Sequence, residues 1–277
     1  MLKVGLLQTC ATPDVHANRA RVVAQIRQAS ALGADLIAMP EAVDFLHPDP
    51  REFARYAQPM AAHEFLALLQ STASELRVWL LAGSLTTRND LGQPVNRTIL
   101  IAPDGKVSAW YDKIHLFDAA ATKNAVLESS IFSRGKTGVV ATIGEVALGL
   151  SICYDVRFPY LYRALALHGA NVMCVPAAFM KVTGEAHWHA LLRARAIETG
   201  SYVIAPAQYG SPHDGRESYG RSLVVNPWGE VVAEAGGDAQ VITADIDLAL
   251  VAEARRRIPS LVQTKDFDVI KIRASHD

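Results

Sequence analysis

The chain has 277 residues, half of them hydrophobic and a fifth charged, with a formal net charge of −1. That balance, without a run of about five like charges or an apolar stretch near the roughly 18 residues of a membrane span, excludes an electrostatic footprint for nucleic acid and a transmembrane anchor. Three cysteines with no C-x-x-C pair leave at least one thiol unpaired, which excludes a disulfide framework and points to a reducing, cytoplasmic compartment.

The first ten residues hold a short apolar run, one early cation and no small-residue cleavage site, so they read as a strand over 3–8 rather than a leader. Strand-length apolar runs then alternate with segments of helical period. The pattern predicts a helix over 16–32, a strand over 35–39, a helix over 61–75 and strands over 78–83, 98–102 and 107–111. It continues with a strand over 146–153, a helix over 159–168, a strand over 171–176 and a helix over 187–199. Strands over 202–207, 222–226, 231–234 and 240–245 and a helix over 248–257 complete it. Asp104-Gly105 and Pro227-Trp228-Gly229 mark hairpin turns between strand pairs. With no compositional seam, repeat or low-complexity segment, one domain over 1–277 is expected. So many strands exceed one ordinary open sheet, whereas an α/β chain with two stacked sheets, each covered by helices, accommodates them.

Three potentially reactive residues share a local pattern in which an apolar strand ends and a polar side chain follows: Glu41 after Leu36-Ile37-Ala38-Met39-Pro40, Lys113 after Trp110-Tyr111-Asp112, and Cys153 after Leu150-Ser151-Ile152. Strand ends are where ligand crevices form in α/β sheets. Each has a bland reading: a solvated carboxylate, a surface lysine, a small core hydrophobe. Cys153 stands out because the chain turns polar after it and a helix starts at Pro159, so the thiol sits at a strand-to-helix elbow beside the backbone N–H of Tyr154. Cys10 and Cys174 lack such a setting and read as packing residues. In a dry pocket facing a thiol, desolvation is expected to raise the pKa of Glu41 toward that of a useful base, while Lys113 offers a point charge for an oxyanion.

Pro40-Glu41-Ala42, Tyr111-Asp112-Lys113-Ile114-His115-Leu116-Phe117-Asp118 and Ser151-Ile152-Cys153-Tyr154-Asp155-Val156-Arg157-Phe158-Pro159 resemble, in order and spacing, the three signature blocks of the nitrilase (carbon-nitrogen hydrolase) superfamily. The resemblance continues through residues 183–188, 193–199 and 218–229 and so covers nearly the whole chain. Within the superfamily the chain is most similar to the Nit branch, whose members hydrolyse deaminated glutathione or ω-amides of 2-oxo acids. The resemblance implies a four-layer α-β-β-α sandwich that pairs through helices into a homodimer or higher homo-oligomer, with residues 187–199 as one dimer helix. It implies Cys153 as nucleophile, Glu41 as general base and Lys113 as oxyanion stabiliser, with Glu128 supporting the lysine. Three positions depart from the family pattern: Arg134 and Glu185, where proline is common, and Arg221, where histidine is common. The last two fall in segments expected near the pocket or among the residues that back it.

The activity implied is hydrolysis of a non-peptide C–N bond in a small carboxylate-bearing amide, through a thioester, without cofactor or metal. His187-Trp188-His189 puts two histidines at i and i+2, which share no helix face, and bears no zinc-site signature. Arg157 is a candidate carboxylate clamp or, equally, an internal partner of Asp155 or of a helix carboxylate; Phe179 and Thr183 are candidate pocket residues. Replacing Lys113 is expected to cripple turnover without unfolding the chain. Alternatives remain open at this level: an N-carbamoyl amino acid amidohydrolase or a nitrilase with the same triad, a cysteine–histidine hydrolase using His115 or His187, and a non-catalytic scaffold on the same fold.

Overall fold

A computed structural model describes residues 1–118, 127–213, 216–263 and 265–272. In chain order the first half supplies β1 (Leu2–Gln8), α1 (Val15–Ala31), β2 (Leu36–Ala38), α2 (Arg51–Tyr56), β3 (Gln58–Pro59), α3 (Glu64–Leu76), β4 (Trp79–Arg88), β5 (Pro94–Ile101) and β6 (Val107–Asp112). The second half supplies β7 (Val139–Ile143), β8 (Val146–Leu150), α4 (Pro159–Leu167), β9 (Val172–Cys174), α5 (Lys181–Thr199) and β10 (Tyr202–Ala205). A hairpin, β11 (Tyr209–His213) and β12 (Arg216–Tyr219), precedes β13 (Leu223–Val225), β14 (Val231–Glu234), β15 (Gln240–Ile246) and α6 (Leu248–Arg257).

Two sheets result. The first runs β15-β1-β2-β4-β5-β6 with β3 beside β4, and the second runs β14-β13-β10-β9-β8-β7. The period-2 alternation of each strand decides what it faces. From the first sheet Leu6, Leu36, Ala38 and Leu81 point into one core shared with Leu148, Val172, Ile204 and Val224 of the second. The intervening Leu7, Ile37, Leu80 and Ala82 point the other way, onto Val22 and Ile26 of α1 and Phe65 and Leu69 of α3. On the second sheet α4 and α5 contribute Leu161, Tyr162, Trp188 and Leu192. The order of layers is therefore helices, sheet, sheet, helices, the four-layer α/β sandwich expected from the sequence.

Every predicted strand and helix forms, with informative differences at the ends. The strand expected over 146–153 stops at Leu150, and Cys153 opens a one-turn 3₁₀ helix, Cys153–Arg157, at φ 45°. The helix expected from 187 starts at Lys181, so Thr183 lies in its first turn. Gly184 hid that start: a Cβ there would meet the Tyr219 ring at 2.4 Å, so the helix needs glycine despite its poor propensity. Strand β7 pairs only with β8 at a sheet edge, with Ala141 its one buried side chain, and gives no alternation to read. The hairpin β11–β12 lies in a Gly-, Ser- and Pro-containing stretch that reads as loop.

The chain after β2 crosses β4 at Gly83, where a Cβ would stand 1.7 Å from the Met39 carbonyl oxygen and 2.5 Å from Pro176 Cβ. This glycine lets a loop of each sheet lie against one strand. Because the nearest atoms include backbone, Gly83→Ala is expected to destabilise the protein by about 1–3 kcal/mol or more, read as a lowered urea midpoint. An unchanged midpoint would show that the two loops shift freely.

Candidate functional site

Glu41, Cys153 and Lys113 all follow the C-terminal ends of strands and reach one place from different layers. β2 runs parallel to β1 and β4, and the chain leaves it held by the Met39 N–H on Leu81 O (2.9 Å) and the Ser84 N–H on Pro40 O (3.2 Å). Ala42 then takes a left-handed φ of 51°, its N–H bonded to Ser84 Oγ at 2.8 Å. The Gln208 amide donates to the carbonyls of Glu41 (2.9 Å) and Ala42 (3.2 Å) and fixes the turn from the second sheet. Cys153 is held by its N–H on Pro176 O at 2.8 Å, and its left-handed backbone is a local strain that the surrounding contacts impose. Lys113 donates its N–H to Asn96 O at 3.0 Å, and Gly135 donates to Lys113 O at 2.8 Å.

Asp155 joins the cysteine elbow to the lysine segment. It is fully buried and accepts from Tyr111 Oη (2.7 Å), Ile152 N (2.9 Å), His115 N (3.1 Å) and His115 Nδ1 (2.6 Å). His115 also stacks on Phe158 at 3.7 Å between centroids. Asp155 is thereby no partner of Arg157, which removes that reading of the arginine.

Lys113 is 1% exposed and bridges two carboxylates, with Nζ 2.8 Å from Glu41 Oε1 and 2.8 Å from Glu128 Oε2. Glu41 Oε1 also accepts from Asn96 Nδ2 at 2.9 Å, and its Oε2 accepts from the Ala178 N–H at 2.9 Å. Glu128 Oε2 accepts from the Phe117 N–H at 2.6 Å. Glu128 Oε1 is also 2.9 Å from Nζ, so of the three ammonium donors one goes to Glu41, one is shared by the two Glu128 oxygens, and a third N–H is left for a ligand.

The expected rise in the Glu41 pKa does not occur. Desolvation pushes its carboxyl up, but the charge of Lys113 and hydrogen bonds from Lys113, Cys153 and Ala178 outweigh it and hold the group below the usual carboxylate range. Glu128 goes the other way: desolvation and the Glu41 charge raise it against the pull of Lys113. Desolvation would lower Lys113, yet Glu128 and Glu41 hold its ammonium above the normal lysine range. The Cys153 thiol is pushed well up by desolvation and by Glu41, with Lys113 acting in the opposite sense. At rest the site thus holds an ionised base beside a protonated thiol. Because the lysine lies between two buried carboxylates, its removal also leaves like charges facing each other.

A cavity of about 240 Å³ opens onto this group and is lined by Glu41, Lys113, Glu128, Cys153 and Tyr154 at the reacting end, with Arg157, Phe179 and Thr183. The Tyr154 N–H lies in the first turn of the 3₁₀ helix, where backbone donors have no partner within the helix. The Arg157 guanidinium lies over the rings of Phe179 (5.1 Å) and Tyr154 (5.9 Å) and touches His187 Nδ1 at 3.4 Å. Neither His115 nor His187 lines the cavity, which leaves a cysteine–histidine pair without support. Glu185 and Arg134 are exposed and outside the lining. Arg221 is outside it too, 4.0 Å from Glu234. The departures from the family pattern therefore do not touch the cavity.

Several lining residues were not anticipated: Asn96, His47, Phe53, Phe132, His213 and Arg216. Phe53 on α2 meets Phe132 edge-on at 5.8 Å, so the short helix places one cavity wall against another. Asn96 falls two residues before the strand expected from 98, which begins at Pro94 instead. Among the described residues no group of three or more His, Cys, Asp and Glu side chains is placed to hold a metal ion, and no helix is long and apolar enough to cross a membrane.

The carbon-nitrogen hydrolase family pattern matches residues 3–256. Deaminated glutathione amidase from Synechocystis sp. (strain PCC 6803) is 38% identical over 260 residues, which cover 92% of this chain and 95% of that one. The crystal structure of the C. elegans NitFhit protein superposes with a TM-score of 0.89 at 34% identity, over 95% of this chain; the chain spans 65% of that protein. An amidase from Nesterenkonia sp. AN1, with acrylamide added to its active-site cysteine, superposes with a TM-score of 0.79 at 26% identity, over 94% of this chain and 98% of that one.

Two outcomes follow from the charge arrangement. In Glu41→Gln the charge that raises the thiol is gone while Lys113 still lowers it, so the midpoint of thiolate formation, followed by ultraviolet absorbance across pH, moves down from its wild-type position. A midpoint that stays or rises would show that Glu41 does not face Cys153. Lys113→Ala loses about 3–5 kcal/mol of stability in urea unfolding, and adding Glu128→Gln restores part of it; independence of the two changes would refute the shared ion site.

Proposed function

The chain belongs to the carbon-nitrogen hydrolase family and is an amidase acting on non-peptide C–N bonds, and on that premise we propose that Cys153, Glu41 and Lys113 are its catalytic residues and deaminated glutathione its substrate. The observation that carries the assignment is the buried contact of one lysine with two glutamates beside a thiol, all opening onto one cavity.

Cys153 Sγ attacks the amide carbonyl carbon as its proton passes to Glu41. The C=O electron pair moves to oxygen, and the oxyanion takes the third N–H of Lys113 and the N–H of Tyr154. Glu41 returns the proton to the leaving nitrogen, the C–N bond breaks, and the amine or ammonia departs from a thioester. Water then attacks the thioester, giving its proton to Glu41, and the acid leaves as sulfur recovers the proton. Because Glu41 ends each half-reaction ionised, one carboxylate serves both. Glu128 keeps Lys113 in place, and Asn96 and the Ala178 N–H keep Glu41 aimed at the sulfur. Arg157, spread on Phe179 and Tyr154, offers its guanidinium edge to a substrate carboxylate on the acyl side, with Thr183 beside it.

We further read residues 1–277 as one carbon-nitrogen hydrolase domain acting as a cytoplasmic homodimer or larger homo-oligomer. Three free cysteines support the compartment, and exposed Tyr160, Leu167 and Ile197 on α4 and α5 support a helix-mediated contact.

Wild type and Cys153→Ala, offered deaminated glutathione, 2-oxoglutaramate, N-carbamoyl amino acids and simple nitriles, provide the test. Wild type is expected to turn over deaminated glutathione fastest, with an acyl adduct on Cys153 visible by mass spectrometry after quenching, and Cys153→Ala to be inactive. Preferred turnover of a carbamoyl compound or nitrile would overturn the substrate, and residual turnover in Cys153→Ala would overturn the nucleophile.

A further inference from the structure

Resting on the reading of Lys113 and the Tyr154 N–H as oxyanion donors, we propose that Tyr111 and His115 are positioning residues of the oxyanion hole. Through the carboxylate of Asp155 they fix one donor relative to the other, and so serve the tetrahedral intermediate rather than the reactivity of the thiol.

The two donors come from different sheets. Lys113 follows β6 of the first, and Tyr154 follows β8 of the second. Both must lie about 2.7–3.1 Å from a single oxygen whose charge develops only as the sulfur attacks. A side chain that joins their two segments therefore decides how well that oxygen is met.

Asp155 is that side chain, and its two oxygens divide the contacts. Oδ1 accepts from the His115 N–H at 3.1 Å and from His115 Nδ1 at 2.6 Å. Oδ2 accepts from Tyr111 Oη at 2.7 Å and from the Ile152 N–H at 2.9 Å. On the lysine side, the Tyr111 hydroxyl also accepts from the Ile114 N–H at 3.1 Å, so residues on both flanks of Lys113 are tied to one carboxylate. On the cysteine side, the Asp155 N–H bonds Ile152 O at 3.0 Å and closes the turn that contains Tyr154.

His115 is committed to this clamp. It does not line the cavity; its Nδ1 is on Asp155, its Nε2 meets the Tyr160 hydroxyl, and its ring lies flat on Phe158. Both nitrogens are thus engaged away from the reacting atoms, which makes the imidazole a brace and not a carrier of the reaction's protons.

The nucleophile and its base are held by a different segment. Cys153 donates its N–H to Pro176 O at 2.8 Å, and the Ala178 N–H bonds Glu41 Oε2 at 2.9 Å. Residues 176–178 keep sulfur and base together, whereas Asp155 keeps the two oxyanion donors together. Loosening the second clamp raises the barrier to attack on an amide and spares any thiol reaction that forms no oxyanion.

The test compares two reactions of Cys153 in wild type, Tyr111→Phe, His115→Ala and His115→Asn. One is turnover of deaminated glutathione, or of whichever amide wild type turns over fastest. The other is methylthiolation by methyl methanethiosulfonate, in which the sulfur displaces methanesulfinate and no oxyanion forms on carbon. Tyr111→Phe and His115→Ala are expected to lower kcat by about 10- to 100-fold, with KM and the methylthiolation rate within about threefold of wild type. His115→Asn, which keeps a side-chain N–H close to the place of Nδ1, recovers part of the loss. A methylthiolation rate that falls in step with kcat would show that Asp155 holds the whole elbow and would overturn the division, as would an unchanged kcat in both variants. Tyr111→Phe removes one oxygen and keeps the ring, so it carries the comparison alone where His115→Ala does not fold. Lys113→Ala is measured beside them, and near-wild-type turnover there overturns the oxyanion assignment itself, whatever Tyr111 and His115 do.

Discussion

The ammonium of Lys113, buried between Glu41 and Glu128, is the constraint on which the site depends. Each of these ions alone would lose several kcal/mol on leaving water, and their mutual attraction compensates only where geometry is close and the remaining lone pairs are hydrogen-bonded. The Asn96 amide and the N–H groups of Ala178 and Phe117 meet that requirement at 2.6 to 2.9 Å. Because Glu41 follows β2, Lys113 follows β6 and Glu128 lies in the separate turn Glu128–Ser130, the ions also join three chain segments that the sheet alone does not join. The buried charge is thus both a catalytic feature and a fixture of the fold.

The nucleophile comes from the other sheet, so the two sheets must be registered to each other at their strand ends. The shared apolar core sets their spacing but has no directional preference that would align them. Direction comes from polar contacts: the Gln208 amide on the Glu41 turn, the Pro176 carbonyl on the Cys153 N–H, and Asp155 between the cysteine elbow and the segment of Lys113. Gly83 makes room for this arrangement, since no other residue fits between Met39 and Pro176. Thr9 and Gln208, and Ala177 and Ala207, add isolated parallel bridges near the same end of the molecule.

Much of this was legible in the sequence, and the limits have physical causes. Strand-end position and a polar residue after an apolar run singled out Glu41, Lys113 and Cys153, because those cues are local; the resemblance to a family then gave Glu128 its place. Asn96, Gln208 and Arg216 were not legible. An amide in a strand or an arginine in a Gly- and Ser-containing loop looks the same whether it is solvated or buried, and Asn96 and Gln208 find their partner 55 and 167 residues away. The direction of the Glu41 shift failed for a related reason: burial is suggested by an apolar run, but the compensating cation, 72 residues on, is a three-dimensional fact. Glu185 and Arg221 depart from the family pattern in segments near the cavity without lining it themselves.

The opposing shifts of Glu41 and Cys153 make a poor match for proton transfer in the resting site, since an ionised, stabilised carboxylate is a weak base toward a thiol that resists ionising. The charge balance of the reaction resolves this. Free ionisation of the thiol to Glu41 would move a negative charge from a carboxylate with four hydrogen-bonding partners to a desolvated sulfur, which the site disfavours. When a carbonyl carbon is present, the charge leaving Glu41 does not rest on sulfur but passes to the carbonyl oxygen, beside the unused N–H of Lys113. The same ammonium thus loses an ionised carboxylate partner and gains an oxyanion, and the local charge stays constant through the step. The resting site is stable because its ions are paired, and it is reactive toward a bound amide because pairing is transferred rather than broken.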